Sequence, residues 1–189
     1  QAQIELFSVE HPNMSNDTAE FLALLQEQNE RMSQMTKTLL EMSELRTVEC
    51  KDTIEIAPMI EEIFTDLAPL AEKKNIRLEY NGNGMMIGSD TLIYRLLFNL
   101  TENAIRYNRE NASVIITVDE KNNQLYIRVK DNGYGIPKQY RESIFQPFFR
   151  VDKSRSRAYG GVGLGLSLVW EIVLLHNGTV KAEKSDKNG

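Results

Sequence analysis

Apolar residues recur along this chain in two rhythms, and the change from one to the other marks its organisation. Within the first 46 residues, Leu25, Met32 and Leu39 fall seven apart, and Met35 and Met42 follow three beyond the last two, with polar Gln28 at the remaining inner position. That spacing predicts a helix with a narrow heptad seam that calls for a partner; an ordinary amphipathic packing helix shows the same pattern. Asp17 with Glu20 forms a candidate capping pair at its start. The stretch EHPNMSND before it reads as a loop, with the short apolar piece IELF upstream, so residues 1–46 are expected to form part of a helical hairpin.

From residue 47 the rhythm changes to strand, helix, strand. DTIEI reads as a short strand, APMIEEIFTDLAPLAEKKN as a helix, and IRLEY as a strand before an NGNG turn. DTLIYRLLFNLTENAIRYN is long, periodic and helical, and SVIITVDE and QLYIRVKD form a hairpin through KNNQ. An antiparallel hairpin with helices to one side predicts a two-layer α+β domain over 47–189. No internal repeat or low-complexity tract interrupts it.

Composition narrows the function classes. With 41% hydrophobic and 26% charged residues the chain reads as an ordinary soluble protein, and a formal net charge of −5 argues against nucleic acid or an anionic membrane surface as its main partner. The single cysteine, Cys50, excludes a disulfide framework. No apolar run reaches membrane-spanning length, and the first residues carry no signal-peptide pattern.

Three stretches carry candidate chemistry. In LYIRVKDNGYGIP the alternation of Leu125, Ile127 and Val129 continues to Asp131, which puts a carboxylate on the apolar face of a strand. A turn-forming Asp needs only its own backbone, whereas one turned toward a core needs hydrogen-bond donors; Gly133 and Gly135 allow either a tight turn or the close approach of a ligand. On the long helix Leu92, Leu96, Leu100 and Ala104 share one arc, with Asn99 and Asn103 along its edge and Arg106 following. Those amides serve either as structural hydrogen-bonding groups or, through a carbonyl oxygen, as ligands of Mg²⁺. Gly160, Gly161, Gly163 and Gly165 lead into a helix over about 164–176 that stops at Asn177 and Gly178. Such an entry is either a mobile loop or a phosphate site made of helix N-terminal N–H groups. Arg150, Lys153, Arg155 and Arg157 precede it, a charge run that is either solvated or turned to an anion.

The order of these features resembles the ATP-binding catalytic domain of sensor histidine kinases, the Bergerat fold of the GHKL superfamily, which type II topoisomerases, mismatch-repair MutL proteins and heat-shock-90 chaperones share. The resemblance covers 47–189 and extends to 1–46 through the heptad helix and LLEMSEL, which looks like the end of the dimerisation and phosphoacceptor hairpin. It implies ATP and Mg²⁺ as cofactors. NLTENAIRYN matches the N box, with Asn103 as Mg²⁺ ligand, Asn99 as its partner, Arg106 near the phosphates where the family usually has Lys, and Tyr107 lining the nucleotide. DNGYGI matches the first glycine box, with Asp131 accepting from the adenine amine and Gly133, Gly135 and Ile136 beside the base. IFQPFFR matches the phenylalanine box, in which Phe145 and Phe149 anchor a lid or simply pack a core, and Arg150 reaches the phosphates. GGVGLGL matches the second glycine box, whose Gly161, Val162, Gly163, Leu164, Gly165 and Leu166 close over the triphosphate.

The resemblance further implies transfer of the γ-phosphoryl of ATP to a histidine outside this chain, with Asn103, Arg106 and Arg150 as the catalytic set. Relay to a response-regulator aspartate, homodimerisation through the hairpin, and a place in the cytoplasmic portion of a membrane-anchored bacterial sensor follow from it. The rival readings are a GHKL ATPase, which has a glutamate where Asn99 stands, and a catalytically weak nucleotide-binding module. Val162, where the family often has a small hydroxyl residue, favours the latter. No His-Glu-x-x-x-Pro-like acceptor motif occurs: His11 precedes Pro12 in a loop, and His176 ends a helix. The acceptor is therefore expected before residue 1, and a final strand beyond KSDKNG.

Overall fold

The computed structural model describes residues 15–151 and 163–183. Helix α1, Asn16–Glu44, begins at Ser15, whose Oγ accepts from the Thr18 backbone N–H at 3.3 Å. Ser15, two residues earlier than expected, is thus the cap instead of the Asp17–Glu20 pair; a serine hydroxyl in extended backbone reaches the first-turn donors directly. Phe21, Leu25, Met32 and Leu39 are exposed along α1. A short turn, Leu45–Thr47, follows, and Leu45 enters the core of the unit beyond. Among the described residues no helix is long and apolar enough to cross a membrane.

Strand β1, Asp52–Glu55, runs straight into helix α2, Ile56–Glu72. Ile56 therefore belongs to the helix and not, as expected, to the strand. Ile56, Met59, Ile60, Ile63, Leu67 and Ala71 recur at three- and four-residue steps and are buried, which makes one apolar stripe along α2. The NGNG turn caps it from outside: Asn83 Oδ1 accepts from Ala57 N–H at 3.0 Å and Gly84 O from Ile56 N–H at 3.1 Å. Strand β2, Arg77–Asn81, and strand β3, Met85–Gly88, follow. Strand β3 was not expected, because four residues between a turn and a helix start carry almost no alternation. It pairs antiparallel with β1 as a separate two-stranded sheet.

Helix α3, Asp90–Arg106, buries Leu92, Ile93, Leu96, Leu97, Thr101, Ala104 and Ile105. Thr101 sits in that stripe because its hydroxyl donates back to Leu97 O at 2.7 Å. The first amide of α3, that of Asp90, donates to Asp52 Oδ2 of β1 at 3.1 Å. Strands β4, Ser113–Lys121, and β5, Gln124–Asp131, form the hairpin, and Asn122 and Asn123 between them both take left-handed φ, +53° and +59°, as a type I′ turn requires. Central β4 pairs parallel with β2 and antiparallel with β5. Its Val114, Ile116 and Val118 are buried in one core cluster with the apolar stripes of α2 and α3, while Arg77, Glu79, Tyr126, Arg128 and Lys130 are exposed on β2 and β5. The outcome is the expected two-layer α+β arrangement. Helix α4, Gly165–Leu175, lies against α3, and α1 and the turn after it touch α4.

The two ends of α3 and α4 are tied by a histidine. His176, at the C-terminal cap of α4, bonds Ile172 O through Nδ1 at 2.8 Å and accepts from the Ser89 backbone N–H through Nε2 at 3.0 Å. Gly88 makes room for the ring: a Cβ there would stand 2.8 Å from it.

Candidate functional site

The C-terminal half of α3 carries Asn99, Asn103 and Arg106, all half-buried, and ends at Tyr107, which is 41% exposed. The Asn99 amide nitrogen donates to Arg95 O at 2.7 Å, which fixes the side chain and turns Oδ1 toward the first turn of α4. A Cβ at Gly165 would lie 2.8 Å from that oxygen and 3.8 Å from Asn103 Nδ2. The structure therefore brings both predicted amides to the N-terminal turn of α4, and it gives Gly165 a steric reason to be glycine. Leu164, the buried N-cap residue, supplies no capping side chain, so the first N–H groups of α4 and its positive dipole end lie beside these amides. Leu166 is half-buried in that same turn.

Asp131 is half-buried on the face shared with Leu125, Ile127 and Val129, and it sits opposite Val114 in the β4 register. The strand parity expected from the sequence is thus what the fold has. One carboxylate oxygen, Oδ1, accepts from Gly133 N–H at 2.8 Å, so the carboxylate both forms the turn and faces inward. Gly133 is buried: a Cβ there would meet Tyr107 O at 2.7 Å and Asn108 Cα at 3.0 Å. This contact joins the DNG turn to the end of α3. Gly135 takes a left-handed φ of +67°, and Tyr107, Tyr134 and Ile136 present exposed apolar surface around it.

The phenylalanine segment closes the other side. The Phe145 ring packs on Trp170 of α4 with centroids 5.6 Å apart, and Phe149 packs on Tyr140 at 5.7 Å. Phe148, at a left-handed φ of +63° that no sequence signal foretold, donates its N–H to Gly163 O at 2.9 Å. Gly163 itself takes φ +82°. Arg150 is half-buried next to this closure. Arg106 pairs with Glu102 one turn back at 2.8 Å. Gly161 and Val162, together with Lys153, Arg155, Arg157 and His11, lie outside the described residues.

Three residues that sequence reasoning passed over hold the site's frame. Asn108 is 3% exposed; its Nδ2 donates to Ser113 O at 3.1 Å and its Oδ1 accepts from Arg109 N–H at 3.0 Å. Asn132 Oδ1 accepts from Ser113 N–H at 2.8 Å, which ties the DNG turn to the start of β4. The third is Lys74, whose ammonium reaches the end of α3. An Asn directly after a helical period is a stop signal and could have flagged Asn108; nothing local marks Lys74.

Residues 88–189 match the model of the family described as histidine kinase-, DNA gyrase B- and HSP90-like ATPase. The chain is 32% identical over 177 residues to the sensor histidine kinase WalK of Bacillus subtilis, covering 89% of this chain and 29% of that protein. It is 30% identical over 185 residues to the sensor-like histidine kinase SenX3 of Mycolicibacterium smegmatis, covering 95% of this chain and 47% of that one. The chain thus spans less than half the length of these curated relatives. Among solved structures, the histidine kinase ThkA in complex with the response regulator TrrA matches 98% of this chain and 54% of its own, with a TM-score of 0.70 at 22% identity, a likeness of fold.

Proposed function

The chain belongs to the histidine kinase-, DNA gyrase B- and HSP90-like ATPase family, and from that premise we propose that it binds Mg²⁺-ATP between α3 and α4 and transfers the γ-phosphoryl group to a histidine of a dimerisation hairpin. The observation that carries this reading is the pair Asn99 and Asn103 set against the N-terminal turn of α4, with Asn99 Oδ1 2.8 Å from the Cβ position of Gly165. A hydrolase of this fold needs a group at that place able to take a proton from water, and a neutral amide has no basic lone pair for the task. What amides and a bare helix start offer instead is positioning and charge stabilisation, which is most of what phosphoryl transfer asks of a protein.

In this reading Asp131 accepts from the adenine amine, and Tyr107 and Ile136 flank the base. The α4 N–H groups receive phosphate oxygens. The Asn103 carbonyl would be the protein ligand of Mg²⁺, an ion that prefers oxygen donors and keeps several waters. When bound, Mg²⁺ neutralises phosphate charge. Arg106 and Arg150 add positive charge on the phosphate side. An imidazole nitrogen then forms the new N–P bond as the bond from the γ-phosphorus to the ADP oxygen breaks, and ADP leaves.

The exposed seam positions Leu25, Met32 and Leu39 on α1 support a homodimer through the helical hairpin. The likeness to WalK, SenX3 and ThkA supports relay to a response-regulator aspartate, and a place in the cytoplasmic portion of a sensor. The test is incubation with γ-labelled ATP, with and without a separately supplied hairpin carrying an acceptor histidine. Acid-labile label is expected on that hairpin and none on this chain; acid-labile label on His11 or His176 would refute the placement of the acceptor outside it.

A further inference from the structure

The end of α2 and the end of α3 meet at one charged group. Helix α2 closes through a turn in which Asn75 is left-handed, φ +51°, Asn75 N–H donates to Glu72 O at 3.0 Å and Ile76 N–H returns to Ala71 O at 2.9 Å. Buried Ile76 and Ala71 seal that turn. The closure projects the half-buried Lys74 side chain across to α3, where Nζ donates to Arg106 O at 2.5 Å and lies 3.4 Å from both Ile105 O and Asn108 O. A helix leaves its last carbonyls without intrahelical donors and concentrates negative partial charge there. An ammonium, a compact cation with three donors, answers both conditions at once.

The carbonyls it gathers are not remote from the site. Arg106 and Asn108 bracket Tyr107, whose carbonyl would be 2.7 Å from a Cβ on Gly133, and Asn108 Cα would be 3.0 Å from it. Gly133 N–H in turn holds Asp131 Oδ1. From the ammonium to the inward carboxylate there are therefore two packed steps, Lys74 to the Tyr107–Asn108 backbone and that backbone to Gly133. The same α3 turn that Lys74 closes begins at Asn103. The Asn75–Asn111 side-chain bond at 2.6 Å and the Asn111 N–H to Lys74 O bond at 2.9 Å hold the two turns together from outside.

We infer that Lys74 is a positioning residue for nucleotide: through the carbonyls at the end of α3 it sets the spacing between the amides on α3 and the Asp131 carboxylate. The inference rests on the nucleotide reading above and deepens it. It separates a structural anchor from a positioning one, because loss of an anchor lowers stability alone, whereas loss of a positioner weakens binding in molecules that are still folded.

The experiment is calorimetric titration of the 189-residue chain with Mg²⁺-ATP and with adenosine, well below each variant's melting temperature. Lys74→Met keeps the apolar stem and removes the donors; both ligands should bind it weaker by roughly tenfold, the equivalent of one charged hydrogen bond. Lys74→Arg, which restores a cation with several donors, should recover most of that loss, and Asn111→Gly, which removes only the outer bond at a residue already left-handed, should bind like wild type. If Lys74→Met does not fold, Lys74→Gln, with one donor retained, should fall between wild type and a tenfold loss. Wild-type affinity in the Met or Gln variant, or an Arg variant no better than Met, overturns the role of Lys74 alone. A wild-type chain that binds neither ligand overturns the nucleotide reading and this role with it.

Discussion

Gly165→Ala tests the contact between α3 and α4 on which the proposed phosphate side depends. The new methyl would stand 2.8 Å from Asn99 Oδ1, closer than a real Cβ tolerates. Asn99 cannot swing aside freely, since its amide nitrogen is held by Arg95 O at 2.7 Å. Overpacking of this kind costs about 1–3 kcal/mol. Alanine in place of glycine in a helix returns about 0.5–1 kcal/mol. The net loss in the wild-type background should thus lie between about 0 and 2.5 kcal/mol. In an Asn99→Ala background the opposing oxygen is gone, and the remaining side-chain neighbour, Asn103 Nδ2, is at an ordinary 3.8 Å. There Gly165→Ala should be neutral or stabilising by up to about 1 kcal/mol. Urea denaturation of the four proteins measures the coupling directly, and it should come to about 1–3 kcal/mol. Equal costs of Gly165→Ala in both backgrounds would refute the geometry. Mg²⁺-ATP affinity should fall in Gly165→Ala whichever way the stability moves, because the first turn of α4 has shifted.

Asp131→Asn should weaken ATP binding by about 1.5–3 kcal/mol, the value of a hydrogen bond to a charged group, and GTP, with a carbonyl in place of the amine, should bind poorly to the wild type; equal ATP and GTP affinities in calorimetry would rule out the assignment. Asn103→Ala should lower Mg²⁺-dependent ATP affinity while the melting temperature barely moves, since a half-buried edge amide contributes little to the core; the opposite pattern marks a purely structural Asn. Burial, and then the hydrogen bond to Asp66, push the Tyr94 phenol up from 10.0 to about 12. The folded state thus favours the neutral phenol, so its contribution to stability is complete below about pH 10 and is lost as the pH rises through about 12. A phenol that ionises near pH 12 in an ultraviolet titration should be missing in Tyr94→Phe.

What the sequence made legible was whatever rested on a period or on a residue's own backbone demand. The stripes of α2 and α3 follow from three- and four-residue recurrence, and the inward place of Asp131 from counting by twos along β5. Asn99 and Asn103 could be placed on an edge because a helix fixes the angle between them. Strand β3 was missed because four residues give no period to count, and the start of α2 was placed late because Ile56 suits a strand and a helix equally. The cap of α1 was misassigned because Ser15 and Asp17 are both good caps, and only the backbone path decides which oxygen reaches the first turn. Phe148 in a left-handed conformation and Lys74 on the carbonyls of α3 are decided by partners far along the chain, 15 residues away at Gly163 and 32 away at Arg106. No local pattern encodes such pairs.

The histidine that joins the ends of α3 and α4 has a chemical consequence. For Nε2 to accept from the Ser89 N–H it must carry a lone pair, and the ring proton then belongs to Nδ1, where Ile172 O receives it. The one nucleophilic nitrogen of His176 is thereby committed to the backbone at the entry of α3. For that nitrogen to form a bond to phosphorus, the ring would first have to release Ser89 and leave the slot that Gly88 opens for it. The fold thus keeps the His176 imidazole in a tautomer and a place where an incoming electrophile finds no free electron pair.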